Sequence, residues 1–134
     1  MNDITNLFKT FDKYKYNTTE ELEKHIEPSI NLNQYKVFED KNGIYGFVNW
    51  AYLNKEVGDG YKLTAKINMH NWNCGTDLWV HDIVASRKGK EVMLWIYRYT
   101  MSVLKLNDKV QWLRLNKDNN IYRVSSKYKR EFHI

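Results

Sequence analysis

An α+β fold with α/β-like character, in a single domain, is what the order of periodicities along this chain predicts. Two segments with helical spacing open the sequence, alternating strand-like segments follow, and one long apolar segment between strands has the length of a helix. That order places a central sheet beneath flanking helices. At 134 residues the chain has the size of one domain with one core, and no repeat, low-complexity tract or Pro/Gly-rich linker divides it.

Each element has its own signal. Ile4, Leu7, Phe8 and Phe11 fall on one helical face. Thr18 with Glu21 three residues on is a capping box for a second helix, and Glu20 and Glu21 suit the positive end of its dipole. Leu22, Ile26 and Ile30 form its stripe, and Pro28, the only proline, is expected to end or bend it. The period then becomes two. Residues 34–39 alternate with Tyr35 and Val37 on one face, Asn42-Gly43 is a hairpin turn, and residues 44–53 form a long aromatic strand. Residues 55–60 read as a polar loop with two glycines, and 61–68 fit strand or helix equally. Gly75 is expected to supply a positive-φ turn before a strand at 78–85. A basic loop at 86–90 leads into a helix at 91–106 that is apolar nearly all round and so expected to be largely buried. Strands at 110–115 and 121–125, joined by a turn at 117–120, complete the order.

Composition narrows the function classes. Hydrophobic residues at 43% and charged residues at 28% are ordinary globular values and argue against disorder. Five Trp, ten Tyr and five Phe supply enough apolar area for a compact core without disulfides. Cys74 is the only cysteine, so no intrachain bridge can form and a reducing compartment is expected. Met1 leads into Asn-Asp-Ile-Thr with no basic stretch before an apolar one, and no apolar run is long enough to cross a bilayer, so a cytoplasmic location is expected. Charge is uneven: residues 1–86 carry 9 Lys/Arg against 12 Asp/Glu, whereas 87–134 carry 12 against 4. The basic half reads either as a solvated face or as a surface for nucleic acid, an anionic membrane or an acidic protein. The richness in Asn, Lys and Tyr points to an A/T-rich genome, that of a phage or a low-GC bacterium.

Four histidines and one cysteine show no metal-ligand spacing, so no metal site and no tightly bound cofactor are expected. No His or Asp spacing around Cys74 supports a nucleophilic triad. Asp82 stands out instead as a lone carboxylate in an apolar strand, a position that requires either pairing or a functional role.

The stretch Trp72-Asn-Cys-Gly75-Thr-Asp-Leu-Trp79-Val-His-Asp82-Ile-Val-Ala85 resembles the central motif of bacterial RTX toxin-activating lysine acyltransferases: Trp-x-x-Gly, then a strand Trp-hydrophobic-x-Asp-x-Ile-Ala. Upstream, Asn33-Gln34-Tyr35 and Gly46-Phe-Val-Asn49-Trp50-Ala51 are similar to that family's Asn-Gln-Tyr and Ser-Trp-Ala strands. Downstream, Leu113-Arg114-Leu115 and Arg123-Val124-Ser125 are similar to its strand-turn-strand ending. The resemblance covers about residues 28–126. It implies a GNAT-like fold, a mixed or antiparallel central sheet flanked by helices. It also implies transfer of a fatty acyl group from the phosphopantetheine thioester of acyl carrier protein to an internal lysine of a partner protein, by a histidine and an aspartate.

The family's aspartate corresponds to Asp82, whereas its histidine position falls on Tyr14. Amide formation from a thioester requires a base for the amine's proton, and histidine is the usual one. His25 is the substitute base taken here, about three turns beyond Tyr14 on the N-terminal helical segment. His70 and His81 are the others, although strand alternation should point His81 away from Asp82, and Asp82 acting with water or a chain without activity are the further alternatives. For the donor, Arg87, Lys88 and Lys90 at the start of the long helix suit an acidic carrier protein and its phosphate. The cleft at Asp82 is expected to open beside that helix start. Asn49, Trp50 and Trp72 are placed at the same acyl and donor site, with Trp50, Trp72, Trp79 and Trp95 either lining an acyl channel or forming plain core.

Two other readings stay open. A binding scaffold without turnover, an inhibitor or regulator of another protein, fits the missing histidine and a chain that stops at Ile134 without a further C-terminal segment. Nucleic-acid binding by the tail from Arg123 to Arg130, with Tyr122 and Tyr128, has the least support, because no nucleic-acid motif is present.

Overall fold

The computed structural model describes residues 2–115 and 121–131. Four helices and five strands appear in the order α1 (Asn2–Lys9), α2 (Thr19–Asn31), β1 (Tyr35–Asp40), β2 (Gly43–Leu53), α3 (Lys55–Thr64), β3 (Asp77–Ala85), α4 (Gly89–Val103), β4 (Lys109–Leu115) and β5 (Ile121–Tyr128), with a short 3₁₀ turn at Lys129–Glu131. The strands form one mixed sheet in the order β1-β2-β3-β4-β5, with β3 and β4 parallel and the other neighbours antiparallel. The α+β architecture read from the sequence is the one observed.

Two apolar layers sandwich the sheet. On one face Ile4, Phe8, Leu22 and Ile26 of α1 and α2 pack on Phe47 and Val84. Farther along that face, Tyr61 of α3 and Trp72 pack with Ala51, Leu53 and Trp79. The opposite face carries α4, whose Val92 and Ile96 pack with Val48, Trp50, Val80 and Val110.

The capping box that starts α2 is complete. Glu21 N–H donates to the Thr18 hydroxyl at 3.1 Å, and Thr18 N–H donates to the Glu21 carboxylate at 2.9 Å. Pro28 does not end the helix, which runs on to Asn31. Residues 55–60 are not a loop but the first turns of α3. The Asn54 side chain caps them by accepting from Val57 N–H, and Ala65 closes the helix in the left-handed conformation. The cap outweighs the two glycines, because only Gly58 must fit against Trp79 and Gly60 meets open space.

Two further expectations are corrected. Gly75 has no positive φ, a conformation that among the glycines belongs to Gly43 in the β1–β2 turn. Its role is close approach: any side chain there would collide with the backbone of Leu53 and Asn54. The long helix α4 is not largely buried. Val92, Ile96 and Thr100 form its covered stripe, while Met93, Leu94 and Tyr97 stay exposed. The turn expected at 117–120 lies outside the described residues.

Candidate active site

β3 departs from regular alternation where the site lies. Asn49 of β2 pairs with Asp82 and the next residue, Trp50, pairs with Val80, so His81 is an extra residue in the strand, a β-bulge. The bulge turns His81 and Asp82 to the same face, the one covered by α1, α2 and α3. The expectation that the two would point apart rested on unbroken alternation, and the bulge removes it. Asp82 is held by its backbone N–H, which donates to Asn49 Oδ1 at 2.8 Å, and Asn49 Nδ2 in turn donates to Ser29 Oγ of α2 at 3.1 Å.

Four side chains gather at this carboxylate, His81 from β3 itself and Tyr14, His25 and Tyr61 from three other segments. Tyr14, in the connection from α1 to α2, donates its hydroxyl to Asp82 Oδ1 at 3.1 Å. His25, two turns into α2, brings Nε2 to 2.9 Å from Oδ2, yet neither of these buried atoms meets hydrogen-bond geometry with a partner among the described residues. His81 Nε2 lies 3.8 Å from Oδ2, and the Tyr61 hydroxyl of α3 holds His81 Nδ1 at 2.7 Å. The chain folds back between α1 and α2, so Tyr14 and His25 are not turns apart on one helix but 5.8 Å apart ring to ring.

The surroundings set the charge states. Burial alone would raise Asp82, but His81, His25 and Lys13 around it hold its carboxyl well below the usual carboxylate range, so it is ionised. Burial opposes charging of His25, and Lys13 does too, yet the Asp82 charge and contact raise it above the ordinary value. His81 is dominated by burial and lies below the ordinary value, which keeps it neutral. Burial and then the Asp82 charge push Tyr14 and Tyr61 far up, so both hydroxyls keep their protons.

Beside this cluster opens a cleft of about 640 Å³. Tyr14, His25, Tyr61, Trp72, His81 and Asp82 reach it, Lys13, Lys24 and Lys66 add positive charge, and Ile67, Met69, Leu113 and Leu115 supply apolar wall. A buried ionised carboxylate paired to an imidazole at the wall of a roomy cleft is an arrangement for moving a proton from a bound amine or hydroxyl. Over residues 1–129 the sequence matches the family model described as HlyC, the RTX toxin acyltransferase family. The chain belongs to that family. No curated protein gives a significant match.

Within this HlyC-family chain the residues singled out from sequence separate into two groups. Asp82, His25 and Trp72 share the cleft, and Asn49 lies directly behind Asp82. Trp50 faces the other side of the sheet, with its ring 5.8 Å from Trp95 and 4.4 Å from Tyr99. The four tryptophans therefore do not line one channel: Trp72 and Trp79 are on the cleft face and Trp50 and Trp95 on the α4 face. Arg87 and Lys88 both engage Asp40, at 2.6 and 2.8 Å, and Lys90 is exposed in the first turn of α4. None of the three lines the cleft, which opens on the face away from α4. His70 is exposed in the loop after α3 and is not in the cleft either.

Sequence reasoning missed Tyr61, Lys13 and Lys66 as cleft residues and set His81 aside. Only the position match of Tyr14 to the family's histidine hinted at one of the partners. A bulge has no signature in a single sequence, and Tyr61 opens a segment that fits strand or helix equally.

Proposed function

We propose that this protein is an acyltransferase that moves a fatty acyl group from the phosphopantetheine thioester of acyl carrier protein to a lysine of an acceptor protein, with an RTX toxin as the acceptor class. The observation that carries this reading is the buried Asp82–His25 pair opening onto the cleft, in a chain of an acyltransferase family.

His25 acts as the base. Its Nε2–H faces Asp82, which orients the ring and stabilises the imidazolium, and Nδ1 accepts a proton from the incoming lysine amine. The amine nitrogen bonds to the thioester carbonyl carbon, the carbon–sulfur bond breaks, and the thiolate leaves with the proton returned from the imidazolium. His25 is preferred to His81 because a third of its side chain is exposed, against a tenth for His81, whose Nδ1 is already engaged by Tyr61. Lys13, Lys24 and Lys66 are placed to attract the pantetheine phosphate into the cleft. Arg87, Lys88 and Lys90 lie on a different part of the surface and suit docking of the acidic carrier body. Asp40 already occupies two of them, which leaves Lys90 as the residue to test.

The test is an assay of acyl-loaded carrier protein with this chain and a candidate acceptor, following carrier discharge and acylated lysine by mass spectrometry. Asp82→Ala and His25→Gln are each expected to slow transfer roughly 10²- to 10⁴-fold. Discharge that is unaffected by Asp82→Ala overturns the reading. A tight complex with one protein, no turnover and no effect of Asp82→Ala supports the binding-scaffold alternative. Steep salt-dependent retention of DNA or RNA supports the third.

A further inference from the structure

We propose that His25, His81 and Asp82 form a binding site for a zinc-type divalent transition ion, with the remaining coordination position open to the cleft. One ligand atom from each residue lies within 4.8 Å of the others. His25 Nε2 and His81 Nε2 are 2.9 and 3.8 Å from Asp82 Oδ2. A tetrahedral zinc with bonds of about 2.0–2.2 Å holds its ligand atoms about 3.4 Å apart, and the two observed separations bracket that value. His25 Nε2 and Asp82 Oδ2 are also two of the few buried polar side-chain atoms without a hydrogen-bond partner among the described residues. The two lie 2.9 Å apart without hydrogen-bond geometry and converge with His81 Nε2, as the ligand atoms of a cation do.

The outer partners fit the same assignment. Tyr61 holds His81 Nδ1 at 2.7 Å, and with the phenol oxygen accepting from Nδ1–H, His81 Nε2 presents its lone pair toward Oδ2. Tyr14 donates to the other carboxylate oxygen at 3.1 Å, and Asn49 fixes the Asp82 backbone. Ligating histidines and carboxylates characteristically carry such partners, which set the tautomer and orientation. Two imidazoles and one carboxylate are a donor set suited to zinc, with a position left for water or a substrate group. Lys13 at the cleft works against the ion, and Lys13→Met should tighten binding. The ligands come from α2 and from both residues of the β3 bulge, so no linear spacing announces them. An ion bound here takes up the atoms that join Asp82 to His25 and blocks acyl transfer. That consequence rests on the acyltransferase reading, whereas binding of the ion does not.

The experiment uses the full chain without an affinity tag, stripped with a chelator. Zn²⁺ is followed by calorimetry and Co²⁺ by absorption. One equivalent is expected, with the visible bands of four-coordinate Co²⁺ and no thiolate charge-transfer band, so that Cys74 is not a ligand. His81→Gln and Asp82→Asn should each weaken binding at least 100-fold, Tyr61→Phe about 10-fold, and His70→Gln should leave it unchanged. If a ligand variant fails to fold, two measurements still decide: a zinc-induced rise in the wild-type melting temperature and the weaker binding of Tyr61→Phe. Less than one equivalent, a thiolate band, or binding indifferent to His81→Gln and Asp82→Asn overturns the site. Transfer by the stripped protein that zinc stops and chelator restores supports the block. Zinc bound as described in a protein that never transfers leaves the metal site standing and removes the acyltransferase reading. Transfer without zinc binding does the reverse.

Discussion

Asp82 illustrates how one side chain takes its meaning from its neighbours. Its carboxylate is buried, ionised and shared between a phenol and an imidazole, and the imidazole is thereby made more basic. In its proposed role as base His25 must be neutral, and its raised value means that it loses its proton only above the ordinary 6.5. In chelator-treated protein, kcat/KM for carrier discharge should therefore climb with pH through a midpoint above 6.5, and a midpoint at or below it would remove His25 from the role. Tyr14→Phe takes a hydrogen bond away from Asp82, leaves more of its charge for His25, and should move that midpoint higher still. Tyr14→His restores the residue type that the family resemblance places at this position, and a faster reaction is expected in the same assay.

At the scale of elements, the site depends on structures that hold it from outside. α2 carries His25, and its start is secured by the Thr18–Glu21 box. Thr18→Ala should cost about 1 kcal/mol in urea unfolding and leave the chemistry of the folded protein unchanged. The end of β2 and the approach to β3 cross so closely at Gly75 that Gly75→Ala should cost roughly 3 kcal/mol through forced backbone displacement, read in the same titration. The bulge at His81 is the third such device. One inserted residue adds a second histidine to the carboxylate without disturbing the pairing of β2 with β3 on either side.

For the whole molecule, the two ends of the Asp82–His25 pair define a window of stability. A raised His25 stabilises the fold fully below its ordinary value near 6.5, and that contribution fades as pH rises through the folded value. A depressed Asp82 stabilises it above the ordinary carboxylate value near 3.8 and loses that contribution as pH falls. Below about 6.5 the depressed His81 works against His25, so in denaturant midpoints measured from pH 3 to 9 His81→Gln should lift the acid limb and His25→Gln should flatten the alkaline decline. Charge acts at this scale too. The proposed association with an acidic carrier protein should weaken several-fold as salt rises, and further with Lys90→Glu. No helix among the described residues is long and apolar enough to cross a membrane.

Local chemistry carried much of this protein into view. The capping box, the Asn42-Gly43 turn, the period-two strands and the suspicion attached to a carboxylate in an apolar strand are all decided within a few residues, where side chains act on their own backbone. α3 was hidden because its two glycines mask a cap, and the exposure of α4 because an apolar sequence does not say which faces a single sheet can cover. The site itself was half legible. Asp82 and His25 could be named, but their meeting could not, because it requires a fold-back between α1 and α2, a bulge that breaks alternation, and Tyr61 arriving from a third helix. Those contacts join residues up to 68 positions apart. Only the packed sheet, by bringing distant segments within about 3 Å of one carboxylate, decides its charge, its partners and the cleft it faces.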